Sequence, residues 1–388
     1  MSDDRQEVVV AGGGLAGASA AIALARAGRS VALFERSAAA EHKVCGEFFS
    51  AEADAALYSL GVDLARLGAV PIERLRLAYR NDVAETRLPF AAWSASRRRV
   101  DEALLVQARE AGVRVVRGAD VRSIAPGSVR ATVASVERTL ACEAAILATG
   151  KRDVRGYPRR ASSPDDAIGF KMHFELAPSS LQALAGHVEL ALFDGGYVGW
   201  QQVEDRAVAF AVVLRRAALG RYGDWNGVLA ALGRTTPLVR ERLAGARALW
   251  PRPRAVAPIP YGFAYRARPE DSVYRAGDQF AVIASFTGDG MAIALTSGMA
   301  AGSAVAAGDS PYAYHRMLGA RLRRPLWLAR VLSRGVANGF TRRPIVASLC
   351  AIPSLLQGIA AVTRLADVRV PPAAGSQAAL APRPKFDA

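Results

Sequence analysis

The chain has 388 residues, 51% of them hydrophobic and 22% charged. These values exclude a small module and a disordered chain, and they predict about two domains around a large core. The formal net charge of +15 points to nucleic acid, a membrane surface or an anionic ligand.

Cys45, Cys142 and Cys350 are odd in number and far apart, so neither a disulfide framework nor a metal cluster is expected, and a reducing cytoplasm is. Asp3, Asp4 and Glu7 outnumber Arg5 at the start, which predicts no signal peptide. Residues 8–25, 290–308 and 344–363 carry no charge, and each is long enough to span a bilayer. The first has four early glycines and the second is mostly Gly, Ala and Ser. Pro353 and polar residues interrupt the third. The expectation for all three is soluble structure.

Residues 7–11 form an apolar run suited to a buried parallel strand. Gly12-Gly13-Gly14-Leu15-Ala16-Gly17 follows and fits G-x-G-x-x-G. Gly12 permits a tight turn, Gly14 lets backbone approach a pyrophosphate, and Gly17 lets the helix pack on the strand. Residues 18–27 predict a helix ended by Gly28. Residues 31–34 predict the next strand, with Glu35 at its end placed to accept from ribose hydroxyls. This constellation predicts dinucleotide binding.

Further along, Ser96-Arg97 with Val100-Asp101 opens a predicted helix, and residues 113–116 and 144–150 predict strands. Arg275-Ala276-Gly277-Asp278 precedes an apolar run, and Thr287-Gly288-Asp289-Gly290-Met291 opens a small-residue helix. Residues 163–265 differ in pattern: 187–193, 197–203 and 207–214 read as a meander turning at Asp194-Gly195-Gly196.

These motifs resemble the FAD-dependent family of aromatic hydroxylases, geranylgeranyl reductases and flavin halogenases, over roughly residues 7–365. The resemblance implies an α/β fold: a doubly wound FAD-binding domain, an inserted antiparallel β-sheet substrate domain and a C-terminal helical segment. It divides the chain into an FAD-binding domain (1–75, 96–160 and 268–312), a substrate domain (76–95 and 161–267), a helical cap (313–370) and a disordered tail (371–388). It implies that FAD is held by Gly12, Gly14, Leu15, Ala16 and Gly17, and by Glu35 and Arg36. Cys45, Gly46, Arg97 and Gly150 would join them, with Gly277, Asp278, Gly288, Gly290 and Met291. No metal is expected. Where the family usually has Asp-Gly, this chain has Thr149-Gly150. That departure puts direct reduction by nicotinamide in doubt and leaves NAD(P)H as a transient reductant. The Trp-x-Trp-x-Ile-Pro signature of tryptophan halogenases is missing; Gly199-Trp200-Gln201-Gln202 stands there instead.

The loop Lys43-Val44-Cys45-Gly46-Glu47 resembles the Cys-Gly loop of the reductase-like branch, near the flavin ring. Cys45 reads either as a small packing residue or as a thiol beside the flavin, with Lys43 near enough to lower its pKa. Glu47 reads as a loop hydrogen-bonding residue. His173 reads either as a hydrogen-bonded strand histidine or as the general base, and Tyr197 as a pocket residue. Catalytic candidates are therefore His173, Tyr197 and Cys45.

Two reactions follow as expectations. One is a monooxygenase hydroxylating an apolar phenolic or polyketide-like substrate through a flavin hydroperoxide. The other is a reductase of isoprenoid or other C=C bonds; a non-redox cyclase or a lipid-binding flavoprotein ranks behind both. The partner is a small apolar molecule, not nucleic acid. Residues 310–366 contain nine Arg and no acid, which reads as a helical cap with a solvated face or as a peripheral membrane contact.

Overall fold

The structure is a computed structural model that describes residues 6–159, 167–362 and 364. The chain opens with β1 (Gln6–Ala11), α1 (Leu15–Arg26), β2 (Val31–Glu35), β3 (Phe48–Phe49), α2 (Ala51–Ser59), β4 (Val70–Tyr79) and β5 (Asp82–Ser94). There follow α3 (Arg97–Glu110), β6 (Arg114–Arg117), β7 (Ala119–Ala125), β8 (Ser128–Val133), β9 (Val136–Leu147) and β10 (Ala167–Glu175). Next come α4 (Pro178–Leu184), β11 (His187–Phe193), β12 (Gly196–Gln202), β13 (Val208–Arg215), α5 (Arg216–Tyr222), α6 (Trp225–Thr235), α7 (Pro237–Leu243), β14 (Arg247–Ala248) and β15 (Arg254–Ile259). The chain closes with β16 (Tyr274–Arg275), α8 (Gly290–Ala307), α9 (Pro311–Ala337), α10 (Gly339–Ala351) and α11 (Pro353–Val362).

The first sheet has the order β6-β2-β1-β9, with β16 also on β9, and these pairs are parallel. β8 and β7 extend it as an antiparallel ribbon from the first half of β9. Val8, Val9, Val10 and Ala11 of β1 and Val31, Ala32, Leu33 and Phe34 of β2 are apolar because helices and the ribbon cover both faces. α8 lies directly on α1: a Cβ at Gly298 would stand 2.0 Å from the Ala16 carbonyl oxygen, and one at Gly302 2.6 Å from that of Ala20. This contact explains the small-residue composition of α8. It is apolar and long enough to cross a membrane, yet 67% of that stretch is buried within the protein.

The second sheet runs β14-β10-β13-β12-β11-β4-β5-β3, with β15 on β10. β11, β12 and β13 are consecutive antiparallel neighbours, the first two joined by a turn at Asp194–Gly195 and the last two through Glu204–Arg206. β11 pairs with β4 in parallel, so the sheet is not antiparallel throughout. β4 joins it at Val70, opposite Ser94, and β3 joins at Phe48. The crossing between the layers thus begins before residue 76, where the sequence reading drew it, because pairing with β5 already holds Val70. α4 to α7 cover one face of the sheet. α10 and α11, bent by 107° at Pro353, pack Val346, Leu349 and Leu356 against Leu77, Tyr79 and Leu192 of the other. The expected tail, 371–388, lies outside the described residues.

Candidate active site

The β1–α1 turn supplies the first wall of the site. Gly12 has φ +106°, and a Cβ there would stand 2.4 Å from the Ala148 carbonyl oxygen. A Cβ at Gly17 would stand 1.7 Å from the Gly12 carbonyl oxygen, so strand, turn and helix interlock. Gly14 differs: its nearest neighbours would be Arg97 Nη2 at 3.6 Å and Lys43 Nζ at 3.7 Å, both ordinary contacts. Nothing among the described residues requires a glycine at that position; a group approaching from the cavity does.

That cavity measures about 1000 Å³. Gly12, Gly14, Leu15 and Ala16 line it, as do Glu35, Arg36, Cys45, Gly46 and Arg97. Gly150, Gly277, Asp278, Gly288, Gly290 and Met291 complete that part of the wall. Of the expected FAD residues only Gly17 stands behind it. Glu35 is buried and accepts from the Gly13 N–H at 2.7 Å and the Ser37 N–H at 2.9 Å, which aims the carboxylate at the turn. α1 and α8 both lack a side-chain cap at the end facing the cavity, leaving first-turn N–H groups to meet negative charge.

Positive charge converges on the same turn. Arg97 donates to Asp101 at 2.8 and 3.0 Å, and Lys43 reaches Asp101 at 3.1 Å. Burial alone would lower the Arg97 guanidinium; Asp101 outweighs it and keeps the charge firmly in place. Lys43 is thereby engaged with Asp101 rather than dedicated to Cys45. Lys151 lies 3.5 Å from Asp278. Gln279 donates to the carbonyls of Gly150 and Arg152 at 2.8 and 2.9 Å, pinning the Thr149-Gly150 turn. A ribose-directed acid, an open glycine turn, two uncapped helix starts and a cluster of cations all fit FAD.

The Cys45–Gly46 loop is held from behind. Glu47 has φ +62° and is fully buried. Its Oε1 accepts from the Arg97 backbone N–H at 2.8 Å, its Oε2 lies 2.9 Å from His173 Nε2, and it ion-pairs with the fully buried Lys171. Burial would raise this carboxyl; the Lys171 charge and the His173 hydrogen bond overcome it and hold it down at about 2. The Glu47 N–H donates to Cys45 Sγ at 3.4 Å, and Gln201 donates to the Gly46 carbonyl at 2.9 Å.

His173 itself is 3% exposed, stacks on Trp250 at 4.6 Å and does not line the cavity. The structure therefore gives it a place behind the loop, not at a substrate, because period-two alternation turns its side chain toward Glu47. His42 does line the cavity, and burial with the His173 charge lowers it to about 4. His42, Glu47 and His173 approach metal-ligand spacing, but the Lys171 ammonium already occupies Glu47 and opposes a cation.

Tyr197 and Cys45 do line the cavity. Cys45 Sγ lies 3.5 Å from Met291 Sδ. The Tyr197 hydroxyl has no hydrogen-bond partner among the described residues, and burial, with Tyr261 nearby, pushes it well above its ordinary value. Tyr261 shares a 2.6 Å hydrogen bond with Ser285. Sequence reasoning missed Tyr261 and Ser285, which no local motif marks; Lys171, read from the sequence as able to reach the cavity, instead stands behind the loop against Glu47.

Asp289, at the start of α8, is fully buried 3.2 Å from Arg364, and burial raises it to about 7 despite that cation. A carboxyl raised on folding contributes stability at low pH that is lost as pH climbs from about 4 to about 7. Asp289→Asn removes this term. The melting temperature of the wild type, measured relative to the variant, should fall across that window; a constant difference would contradict the assignment.

Fold and cradle are those of an FAD-dependent oxidoreductase. Residues 6–158 match the pyridine nucleotide-disulphide oxidoreductase family. Among curated proteins, a probable electron transfer flavoprotein-quinone oxidoreductase of Escherichia coli is 27% identical over 47% of this chain and 46% of its own length. A menaquinone reductase of Mycobacterium tuberculosis is 27% identical over 51% and 52%. The chain spans about half the length of these relatives. Among solved structures, the flavin-dependent brominase Bmp2 superposes with a TM-score of 0.75 at 18% identity, covering 92% of this chain and 93% of the other. A geranylgeranyl bacteriochlorophyll reductase-like protein of Thermoplasma acidophilum gives 0.71 at 15%, covering 92% and 96%.

Proposed function

We propose that the chain is a reductase of C=C bonds in an apolar, isoprenoid-like lipid. The observation that carries this reading is the cavity beyond the nucleotide cradle. There it runs between Leu75, Leu77, Leu190 and Leu192 of the second sheet and Leu349, Leu356 and Ile359 of the helical cap. Such a channel favours a long apolar molecule over a compact polar one. The names of the two curated relatives, which refer to a quinone and a menaquinone, support a lipid of this kind.

FAD held in the cradle would, once reduced, supply the hydride. Tyr197 stays protonated at neutral pH and lines the cavity beside Tyr261 and Ser285, so it is the residue assigned to deliver the proton that completes addition across the double bond. Tyr261 and Ser285 are placed to restore it. Cys45 and Met291 form the sulfur-lined wall beside them, and Glu47 and Gln201 fix the loop that carries Cys45. The electrons come from an external donor of the NAD(P)H class. Hydroxylation of a phenol is less favoured, because His173 is outside the cavity and His42, held at about 4, is a weak base for a phenolic proton.

The test is anaerobic. Reduced protein is mixed with menaquinone or a simple polyprenyl alkene, and flavin absorbance and product mass are followed. Reoxidation without oxygen, with a product that keeps two added hydrogens after exposure to air, is expected. An oxygen-dependent product from a phenolic lipid, heavier by one oxygen atom, would overturn the reading in favour of the hydroxylase. Tyr197→Phe should lower turnover by about 10²–10⁴-fold while flavin content stays unchanged; unchanged turnover removes Tyr197 from the proton path.

A further inference from the structure

The helical cap has an outer face that the FAD cradle does not use and that the substrate channel touches only at its mouth. Of the large apolar side chains that stand exposed on the protein, Trp327, Val331, Phe340, Ile352, Leu355 and Val362 all fall in α9 to α11 or at their junctions. Phe340 is 94% exposed and Trp327 63%. A soluble surface rarely gathers so much exposed apolar surface in one short segment without a partner.

Charge on this segment has one sign. Residues 310–366 contain no acid. Two of their nine Arg are used internally: Arg342 bonds Asp194 at 2.8 Å, and Arg364 meets Asp289. Arg316, Arg321, Arg323, Arg324, Arg330, Arg334 and Arg343 are exposed and form no ion pair with any described residue. On α9, Arg323, Trp327, Arg330 and Arg334 recur at helical spacing, so guanidinium groups and an indole share one stripe.

The substrate channel reaches the surface at this stripe. Its lining includes buried Leu349 and Leu356 deep in the cap and also exposed Arg330, Val331 and Arg334 on α9. An apolar channel that opens among arginines and an exposed Trp is suited to drawing its ligand from lipid rather than from water.

We propose that the outer face of α9 to α11 docks on an anionic bilayer, with the mouth of the channel turned to the lipid. Arginines meet lipid phosphates, while Trp327, Phe340 and Leu355 enter the headgroup–acyl boundary. Charge complementarity selects this occupant: a second copy of the chain would bring seven like charges against seven. The proposal does not depend on the reaction assigned above, since docking is read without turnover.

The experiment uses the full chain and flotation on vesicles of phosphatidylcholine alone or mixed with phosphatidylglycerol. Binding is expected only to the anionic vesicles, and it should weaken at least tenfold between low and high salt. Trp327→Ser with Phe340→Ser, and separately Arg323→Glu with Arg324→Glu, should each reduce binding about tenfold or more with flavin content and melting temperature unchanged. Tryptophan emission should shift to the blue on anionic vesicles in the wild type and much less in Trp327→Phe. No flotation of the wild type on anionic vesicles overturns the proposal. So does equal binding by the two double variants, or a dimer in sedimentation that the Phe340→Ser change dissociates.

Discussion

Replacing Glu47 by Gln should destabilise the protein by about 3–5 kcal/mol, the cost of removing one partner from a buried ion pair. Lys171 is fully buried and its ammonium pairs with Glu47, so the amide leaves an uncompensated cation in the interior. The same carboxylate also fastens the Arg97 N–H and His173, and so anchors the residue whose backbone N–H meets Cys45 Sγ. The variant should therefore lose flavin more readily as well as unfold earlier in urea. Glu47→Gln with Lys171→Met should recover much of the stability, since it removes both charges together. A Glu47→Gln protein within 1 kcal/mol of the wild type would refute this account.

The acid limb of the wild type follows from the same pair. Glu47 is held down from 4.5 to about 2 in the folded protein. Its contribution is complete above the ordinary carboxylate value and is lost as pH falls toward about 2. At 1.36 kcal/mol per pKa unit the shift corresponds to roughly 3 kcal/mol. The wild type should lose that much more stability than the double variant between pH 5 and pH 2, measured by urea unfolding.

A second pair of substitutions separates what the glycine turn does for the fold from what it does for FAD. Gly17→Ala places a methyl 1.7 Å from a backbone oxygen, so turn and helix must part. Both flavin-free stability and FAD binding should fall. Gly14→Ala meets only the ends of Arg97 and Lys43, at 3.6 and 3.7 Å, so the flavin-free protein should melt as the wild type does. In the holoprotein the added methyl occupies space needed by the cofactor. Overpacking costs of about 1–3 kcal/mol translate to about a ten- to hundredfold loss of FAD affinity. Flavin titration and differential scanning of the apoprotein check both. If Gly14→Ala binds FAD normally, the pyrophosphate does not approach at that turn.

The difference between these two predictions parallels what can be read along the chain. The G-x-G-x-x-G turn, Glu35, the Ser96-capped helix with Arg97 and Asp101, and Gly277-Asp278 are each local demands. A tight turn, a backbone approach or an N-cap is met within a few residues, so spacing alone reveals it. All of them reach the cavity wall or stand directly behind it.

Glu47, Lys171 and His173 were individually visible but not as a unit. Glu47 lies more than 120 residues from Lys171 and His173 in sequence, and β10 is buried on nearly every residue, so no alternation announces which face meets the Cys45 loop. The same lack of pattern left two readings of His173 open, and its ring behind the loop, 2.9 Å from Glu47, fits the hydrogen-bonded strand histidine rather than the general base.

The sequence, read alone, carried the nucleotide cradle and the fold class, because both rest on short-range backbone geometry and on the period of apolar residues. Three-dimensional packing decided the rest. The docking of β4 and β5 against the C-terminal helices makes the apolar channel, and the apposition of β10 with the Cys45 loop makes the buried charge cluster. Contacts between distant segments arise from matching surfaces that leave no mark on either segment by itself.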